Sequence, residues 1–202
     1  MIAVIDYDAG NIRSVEHAFR YIGEDVRVTR DPALIRSADH VVLPGVGNFG
    51  DARKKLDRYE LTDCIRETAK SGVPFLGICL GEQLLFESSE ESPGVRGLGI
   101  LPGRVIRFPD RPGYKIPQIG WNSLRLMNGG QLFNGIENGA YVYFVHSYYV
   151  RAEERSIVKA VCSYAEDADA AVERGNVAAC QFHPEKSGDV GLAILRNFTA
   201  MK

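Results

Sequence analysis

Apolar positions in the first half of the chain follow two alternating rhythms. Solid apolar or β-branched runs at residues 2–7, 26–29, 40–43 and 73–79 predict short buried strands. Between them, Ile12, Val15, Phe19 and Ile22 recur at helical spacing, and Gly23 suits a helix stop. After a turn at Asp31-Pro32 and the third strand, residues 51–71 are charged and amphipathic, which predicts a helix broken near Tyr59. The fourth strand runs straight into a further helical stretch at 81–88. Strands separated by helices imply parallel βαβ units, hence an open sheet with helices on both faces. From Leu98 the rhythm changes to short strand-like runs separated by turns: 104–108, 123–126, 141–150, 157–164, 171–173 and 177–182. An amphipathic helix over 189–201 closes the chain. The expected fold class is α/β: an open, mostly parallel sheet flanked by helices, with an additional antiparallel, β-rich portion.

Composition narrows this picture. A chain of 202 residues without internal repeat, low-complexity stretch or linker is expected to form a single domain, 1–202. Such a chain buries roughly 70% of its unfolded surface and folds without staples. The formal net charge of -2 gives no footprint for nucleic acid or for an anionic membrane. No apolar run approaches the roughly 20 residues of a membrane span. The chain opens on Ile2-Ala3-Val4-Ile5 with no basic region or cleavage site, so a reducing, cytoplasmic setting is expected. Cys64, Cys79, Cys162 and Cys180 form no C-x-x-C pair, which argues against a zinc knuckle or redox dithiol.

Two segments carry candidate chemistry. In the first, the apolar strand enters Gly77-Ile78-Cys79-Leu80-Gly81 and continues as a helix. This is the pattern of a nucleophile elbow with Cys in place of Ser. The turn is tight, and a Cβ on either flank would crowd the nucleophile and whatever approaches it. The positive end of the following helix favours a thiolate. The N–H of Leu80 can point at a developing oxyanion. A buried, inert core cysteine is the plainer alternative.

In the second, a strand ends in Phe182-His183-Pro184-Glu185. Residues two apart in extended chain leave the same side, and Pro184 pushes His183 toward extended geometry. A carboxylate accepting one imidazole N–H leaves the other nitrogen free as a base. Cys79, His183 and Glu185 then read as nucleophile, general base and orienter. A surface His-Pro-Glu loop is the plainer alternative. A metal pair with His146 as third ligand is a further one, but no other side chain has ligand spacing. His17, in a helix, and His40, at a strand start, look incidental. In an open α/β sheet the carboxyl ends of strands share one crevice, which is where both segments lie.

These motifs resemble those of class I triad glutamine amidotransferases. Pro44-Gly45-Val46-Gly47-x-Phe49-Gly50, Ile116-Pro117-Gln118-Ile119-Gly120-Trp121-Asn122, Tyr143-Phe144-Val145-His146-Ser147-Tyr148 and the extension Lys186-Ser187 resemble, more narrowly, the glutaminase subunits of imidazole glycerol phosphate synthases. The resemblance covers nearly the whole chain. It implies that Cys79 attacks the glutamine carboxamide, that His183 moves the proton and that Glu185 holds His183. It further implies an oxyanion site at Val46, Gly47 and Leu80, and a glutamine pocket lined by Gln83, Glu91, Ser147 and Tyr148. Asn11, Trp121, Tyr143 and Lys186 would face a (β/α)8-barrel cyclase partner in a heterodimer. No cofactor and no metal are implied.

Three positions depart from that family's pattern: Gln118 where His is usual, Glu82 where Met is common and Asp8 where Gly is common. Gln118 is expected to alter the partner-facing surface, and Asp8 the way the first loop meets the partner. Competing functions are a glutaminase serving pyridoxal phosphate, anthranilate or guanylate synthesis, a cysteine peptidase of related fold, and a non-catalytic binding subunit. The Gly-Trp-Asn and His-Pro-Glu-Lys-Ser segments argue against the first.

Overall fold

The structure is a computed structural model that describes every residue but Asn128. Its first half alternates as the apolar rhythm predicts: β1 (Ile2–Ile5), α1 (Ile12–Tyr21), β2 (Val26–Thr29), α2 (Pro32–Arg36), β3 (His40–Leu43), α3 (Phe49–Arg58), α4 (Leu61–Lys70), β4 (Phe75–Ile78) and α5 (Leu80–Leu85). The second half is mostly strand: β5 (Ser88–Ser89), β6 (Gly103–Arg107), β7 (Gln118–Ser123), β8 (Arg125–Leu126), β9 (Tyr141–His146), β10 (Tyr148–Ala152), β11 (Val158–Ser163), β12 (Asp167–Arg174) and β13 (Val177–Cys180), before α6 (Gly188–Thr199). The large sheet runs β2-β1-β3-β4-β13-β12-β10-β6-β5. From β2 to β13 every pairing is parallel, and from β13 to β6 every pairing is antiparallel. β7 and β9 form a separate antiparallel ribbon. Among the described residues, no helix is long and apolar enough to cross a membrane.

The central strands are buried on both faces, so successive side chains feed two cores. Ala3 and Ile5 join the core under α2, α3, α4 and α5, while Ile2 and Val4 join the core under α1 and α6. Phe75 and Leu76 divide in the same way. Val15, Ala18 and Phe19 of α1 and Ile194, Leu195 and Phe198 of α6 cover one face.

Local chemistry sets several boundaries. The expected break in the long helical stretch lies after Tyr59, where Glu60 takes a left-handed φ of 56° before α4. The Asp31-Pro32 turn proves to open a short helix, α2: Asp31 Oδ1 accepts from the Ala33 N–H at 2.9 Å and Pro32 occupies the first turn. The strand expected over 141–150 is two strands parted at Ser147, because β9 pairs with β7 and β10 with β6.

One junction positions the site. β4 and β13 pair in parallel with Ile78 beside Cys180, and the Cys79 N–H extends that ladder to the Cys180 carbonyl at 2.8 Å. Cys79 then turns the chain with φ 54° and ψ −109°, a region most side chains avoid. Its flanking glycines are required by packing. A Cβ on Gly81 would stand 1.8 Å from the Leu43 carbonyl oxygen, and one on Gly77 would stand 3.0 Å from the Glu82 backbone. The obstacle at residue 81 is backbone, so nothing can swing away. Gly81→Ala is expected to cost about 3 kcal/mol of unfolding free energy, the upper end of ordinary overpacking. Urea denaturation checks this, with a loss under about 1 kcal/mol ruling out the close approach.

Candidate active site

The strand-to-helix junction presents Cys79, which is 6% exposed, at the carboxyl end of β4. The adjacent β13 continues through Gln181 and Phe182 to His183, whose N–H donates to the Tyr143 carbonyl at 3.0 Å. His183 itself is extended, with φ −102° and ψ 95°. The chain then curls into a 3-10 turn over Pro184–Lys186 rather than continuing extended. That curl, and not strand alternation, brings Glu185 back under the ring. His183 Nδ1 lies 2.7 Å from Glu185 Oε1, with both side chains sealed from solvent. A carboxylate oxygen can only accept, so Nδ1 carries the proton and Nε2 faces the sulfur side.

His183 Nε2 makes no aligned hydrogen bond within the resting chain. It nevertheless feels the Cys79 sulfur. Burial alone would depress the imidazole's proton affinity; the neighbouring sulfur first, and Glu185 second, outweigh burial and push the pKa up to about 10. The structure thus brings Cys79, His183 and Glu185 into one contiguous row. Asn11 supports its far end. Asn11 stands at the N-terminus of α1 with φ 69° and makes no capping bond; its amide donates instead to Glu185 Oε1.

A cleft of about 340 Å³ opens over the sulfur, lined by Val46, Gly47, Cys79, Leu80, Gln83, Glu91, Ser147 and Tyr148 together with Pro117, Val145 and His146. Its size suits a ligand no larger than a small metabolite. His183 backs onto this cleft through Cys79 rather than lining it. Glu91 Oε2 accepts from the Phe49 N–H at 2.7 Å, which fixes the carboxylate against the start of α3. Gly47 has φ +107°, open to glycine alone at no cost. The Leu80 N–H does not point freely into the cleft. It donates to the Gly45 carbonyl at 3.2 Å. Pro44 is tied in turn by the buried Tyr7 hydroxyl, which donates to its carbonyl at 2.8 Å. Burial, followed by the neighbouring Cys79, makes the Tyr7 hydroxyl a far weaker acid than usual.

His146 is neutral: burial lowers its pKa to about 4, and Nδ1 lies 2.9 Å from the Tyr148 carbonyl. Among the described residues, no three His, Cys, Asp or Glu side chains converge as metal ligands. Trp121, Tyr143 and Lys186 gather beside one another. The Trp121 and Tyr143 rings meet edge-on at 6.2 Å, and Lys186 Nζ lies 5.9 Å from the Tyr143 ring centre. Ile119 and Trp121 remain exposed on the outer side of the β7–β9 ribbon.

Two departures from the family pattern have defined places in the structure. Gln118 does not reach the outer surface. Strand alternation turns it inward, where its amide donates to Cys162 Sγ at 3.6 Å. Asp8 adopts a left-handed φ of 60° and is clamped. The Tyr59 hydroxyl donates to its carboxylate, Arg30 donates to it at 2.8 Å, and Lys55 Nζ donates to its carbonyl at 2.8 Å. The Tyr59 bond first, and Arg30 second, hold the Asp8 carboxyl below its ordinary range.

Sequence reasoning passed over Gln181 and Tyr7. Gln181 is fully buried, and its amide nitrogen lies 3.6 Å from Cys79 Sγ. Its position between the strand and His183, two residues before the imidazole, was the available signal.

The chain matches the family model described as glutamine amidotransferase class-I over residues 3–201. It is 52% identical to the imidazole glycerol phosphate synthase subunit HisH of Methanothermobacter thermautotrophicus, over 98% of this chain and 97% of that protein. It is 50% identical to the protein of the same name from Syntrophotalea carbinolica, over the whole of both chains. Among solved structures, one described as a glutamine amidotransferase covers 99% of this chain and 100% of its own with a TM-score of 0.76. Its sequence identity is 19%, so that likeness speaks for the fold alone.

Glu82 is the costly residue of the site. It is fully buried in the helical turn after Cys79, and neither carboxyl oxygen has a partner within the protein. Burial first, then the charges of Cys79 and Asp169, push its pKa well above the ordinary glutamate value of 4.5. The sign of the pH dependence follows from proton counts. Below pH 4.5 folded and unfolded chains both hold this proton. Above it the unfolded chain releases the proton while the folded chain keeps it, so stability falls as pH rises. Relative to Glu82→Gln, the native chain is expected to lose stability as pH rises above that point, read as a fall in Tm of at least a few degrees across pH 5 to 8. Parallel Tm profiles for the two proteins across pH 5 to 8, on the order of 1 °C apart throughout, would contradict the burial of an uncompensated acid.

Proposed function

The chain belongs to the class-I glutamine amidotransferase family, and we infer from that membership and from the cleft that it is the glutaminase subunit of an imidazole glycerol phosphate synthase. It hydrolyses glutamine to glutamate and ammonia for histidine biosynthesis. The observation that supports this assignment of residues is the pairing of β4 and β13, whose ends carry Cys79 at the cleft and the segment leading to the His183–Glu185 dyad behind it.

The chemistry follows from that row. His183 Nε2 takes the proton of the Cys79 thiol, and Glu185 holds the ring and steadies its positive charge. The sulfur attacks the carboxamide carbon of glutamine. A sulfur–carbon bond forms and the carbonyl electrons move to oxygen. Collapse breaks the carbon–nitrogen bond, and His183 returns its proton to the departing ammonia. Water then attacks the thioester, giving its proton to His183; the carbon–sulfur bond breaks and the thiol and glutamate are released. Gln83, Glu91, Ser147 and Tyr148 line the space that the amino-acid end of glutamine would fill.

The oxyanion needs donors at Val46, Gly47 and Leu80. In the resting chain the Leu80 donor is occupied by the Gly45 carbonyl. We propose that docking of a (β/α)8-barrel cyclase against the face carrying Asn11, Trp121, Tyr143 and Lys186 shifts the 45–47 segment and frees that N–H. Gly45 and Gly47 allow peptide rotation with little steric cost. Ammonia is mostly ammonium at neutral pH, which is not nucleophilic. Direct transfer into the partner's site, yielding imidazole glycerol phosphate and aminoimidazole carboxamide ribotide, avoids that loss. The reading takes residues 1–202 as one cytoplasmic domain that works as half of a heterodimer.

Two assays test this reading. The isolated chain is expected to hydrolyse glutamine roughly 10²–10³-fold more slowly than the complex with cyclase and its ribotide ligand, the range set by losing one oxyanion donor. Equal rates would exclude an activating shift. In the complex, Cys79→Ala is expected to abolish turnover fed by glutamine while sparing turnover fed by ammonium salts. Loss of both would show that Cys79 has another role.

A further inference from the structure

A second buried polar row reaches the Cys79 sulfur. Its members are Gln181 and Gln83, and it ends on a backbone carbonyl. Gln83 Nε2 donates to the Tyr148 carbonyl at 2.9 Å and also to Gln181 Oε1 at 2.9 Å. Gln181 Nε2 donates to Cys79 Sγ at 3.6 Å.

The orientation of this row is dictated by its far end. A carbonyl oxygen can only accept, so Gln83 must turn its NH₂ toward Tyr148. The second N–H of that group then meets Gln181, which must offer its own oxygen. That leaves only the Gln181 NH₂ to face the sulfur. The flip ambiguity of an isolated amide is therefore absent here. The Gln181 main chain is fixed as well, because its N–H donates to the Ala170 carbonyl on β12 at 2.9 Å. Gln181 is wholly buried, so no water competes for the bond.

We propose that Gln181 is a catalytic residue whose amide N–H donates to the Cys79 thiolate as a second partner beside the imidazole, with Gln83 and the Tyr148 carbonyl fixing the direction of that donor. A neutral donor suits this place. A second cation there would compete with His183 for the sulfur, whereas an amide stabilises the anion without a proton to lose. The row also ties the nucleophile to the wall of the cleft, since Gln83 and Tyr148 both line it.

The proposal rests on Cys79 being the nucleophile, and its test is read without turnover so that the two can fail separately. The pH profile of Cys79 alkylation by iodoacetamide would be followed on the full chain by mass spectrometry of the labelled peptide. Cys64, Cys162 and Cys180 are buried and serve as internal controls for folding. Gln181→Met, close in size and without a donor, is expected to move the alkylation midpoint up by about one pH unit, a roughly tenfold loss of thiolate below the midpoint. In the complex the same variant is expected to lower kcat for glutamine while leaving KM nearly unchanged. Gln83→Met leaves residue 181 intact but removes the group that aims its amide. It is expected to shift the alkylation midpoint in the same direction, and it decides the matter if Gln181→Met does not fold. An unchanged profile would overturn the proposal. So would a downward shift, which would mean that the amide accepts from the thiol. A raised KM at constant kcat would also overturn it, by placing Gln181 in substrate binding alone.

Discussion

The site depends on one pairing, the parallel ladder between β4 and β13. Each strand is short and apolar, and each ends where its motif begins. Because Ile78 pairs with Cys180, and because the Cys79 N–H reaches the Cys180 carbonyl, the sulfur and the residues leading to His183 leave the sheet at the same level. A parallel register cannot slip by one residue without reversing every side chain between the two cores. The separation of the two segments in sequence therefore costs the site nothing in precision. Their distance is set by interstrand hydrogen bonds.

Around that fixed spacing the protein tolerates several local penalties. Cys79 holds a left-handed backbone, Glu82 keeps a proton in an apolar interior, and one oxygen of Glu185 has no partner within the chain. Each is unfavourable alone. Together they surround one sulfur, where strain and missing partners point to function rather than error in packing. The two apolar cores on either side of the sheet supply the compensating stability, and each reaches the cleft at its edge, one at Leu80 and the other at Cys79.

Local motifs were the most legible part of the sequence. The glycines flanking Cys79 and the proline after His183 constrain the backbone on their own, so the elbow and the extended His183 could be read directly. The alternation of strand and helix likewise implied the parallel half. What could not be read depends on tertiary partners. The split of the 141–150 run at Ser147 exists because two different strands claim its halves. Glu185 reaches His183 through a 3-10 curl that no spacing rule suggests. Gln118 turns inward because of the register of a ribbon whose partner is distant in sequence. The engagement of the Leu80 N–H by Gly45, and of Cys79 by Gln181, joins backbone and side chain across strands, where a linear pattern carries no signal.

The clamp on Asp8 has a reach beyond its own loop. Its ion pairs with Arg30 sit in solvent, with the partners 40% and 49% exposed, so dissolved ions screen them freely. The same loop carries Asn11, whose amide bears on the oxygen of Glu185 that His183 also uses. A carboxylate side chain sealed from solvent is thus braced from a rim open to the medium, and ionic strength has a mechanical path into a dyad that water itself does not enter.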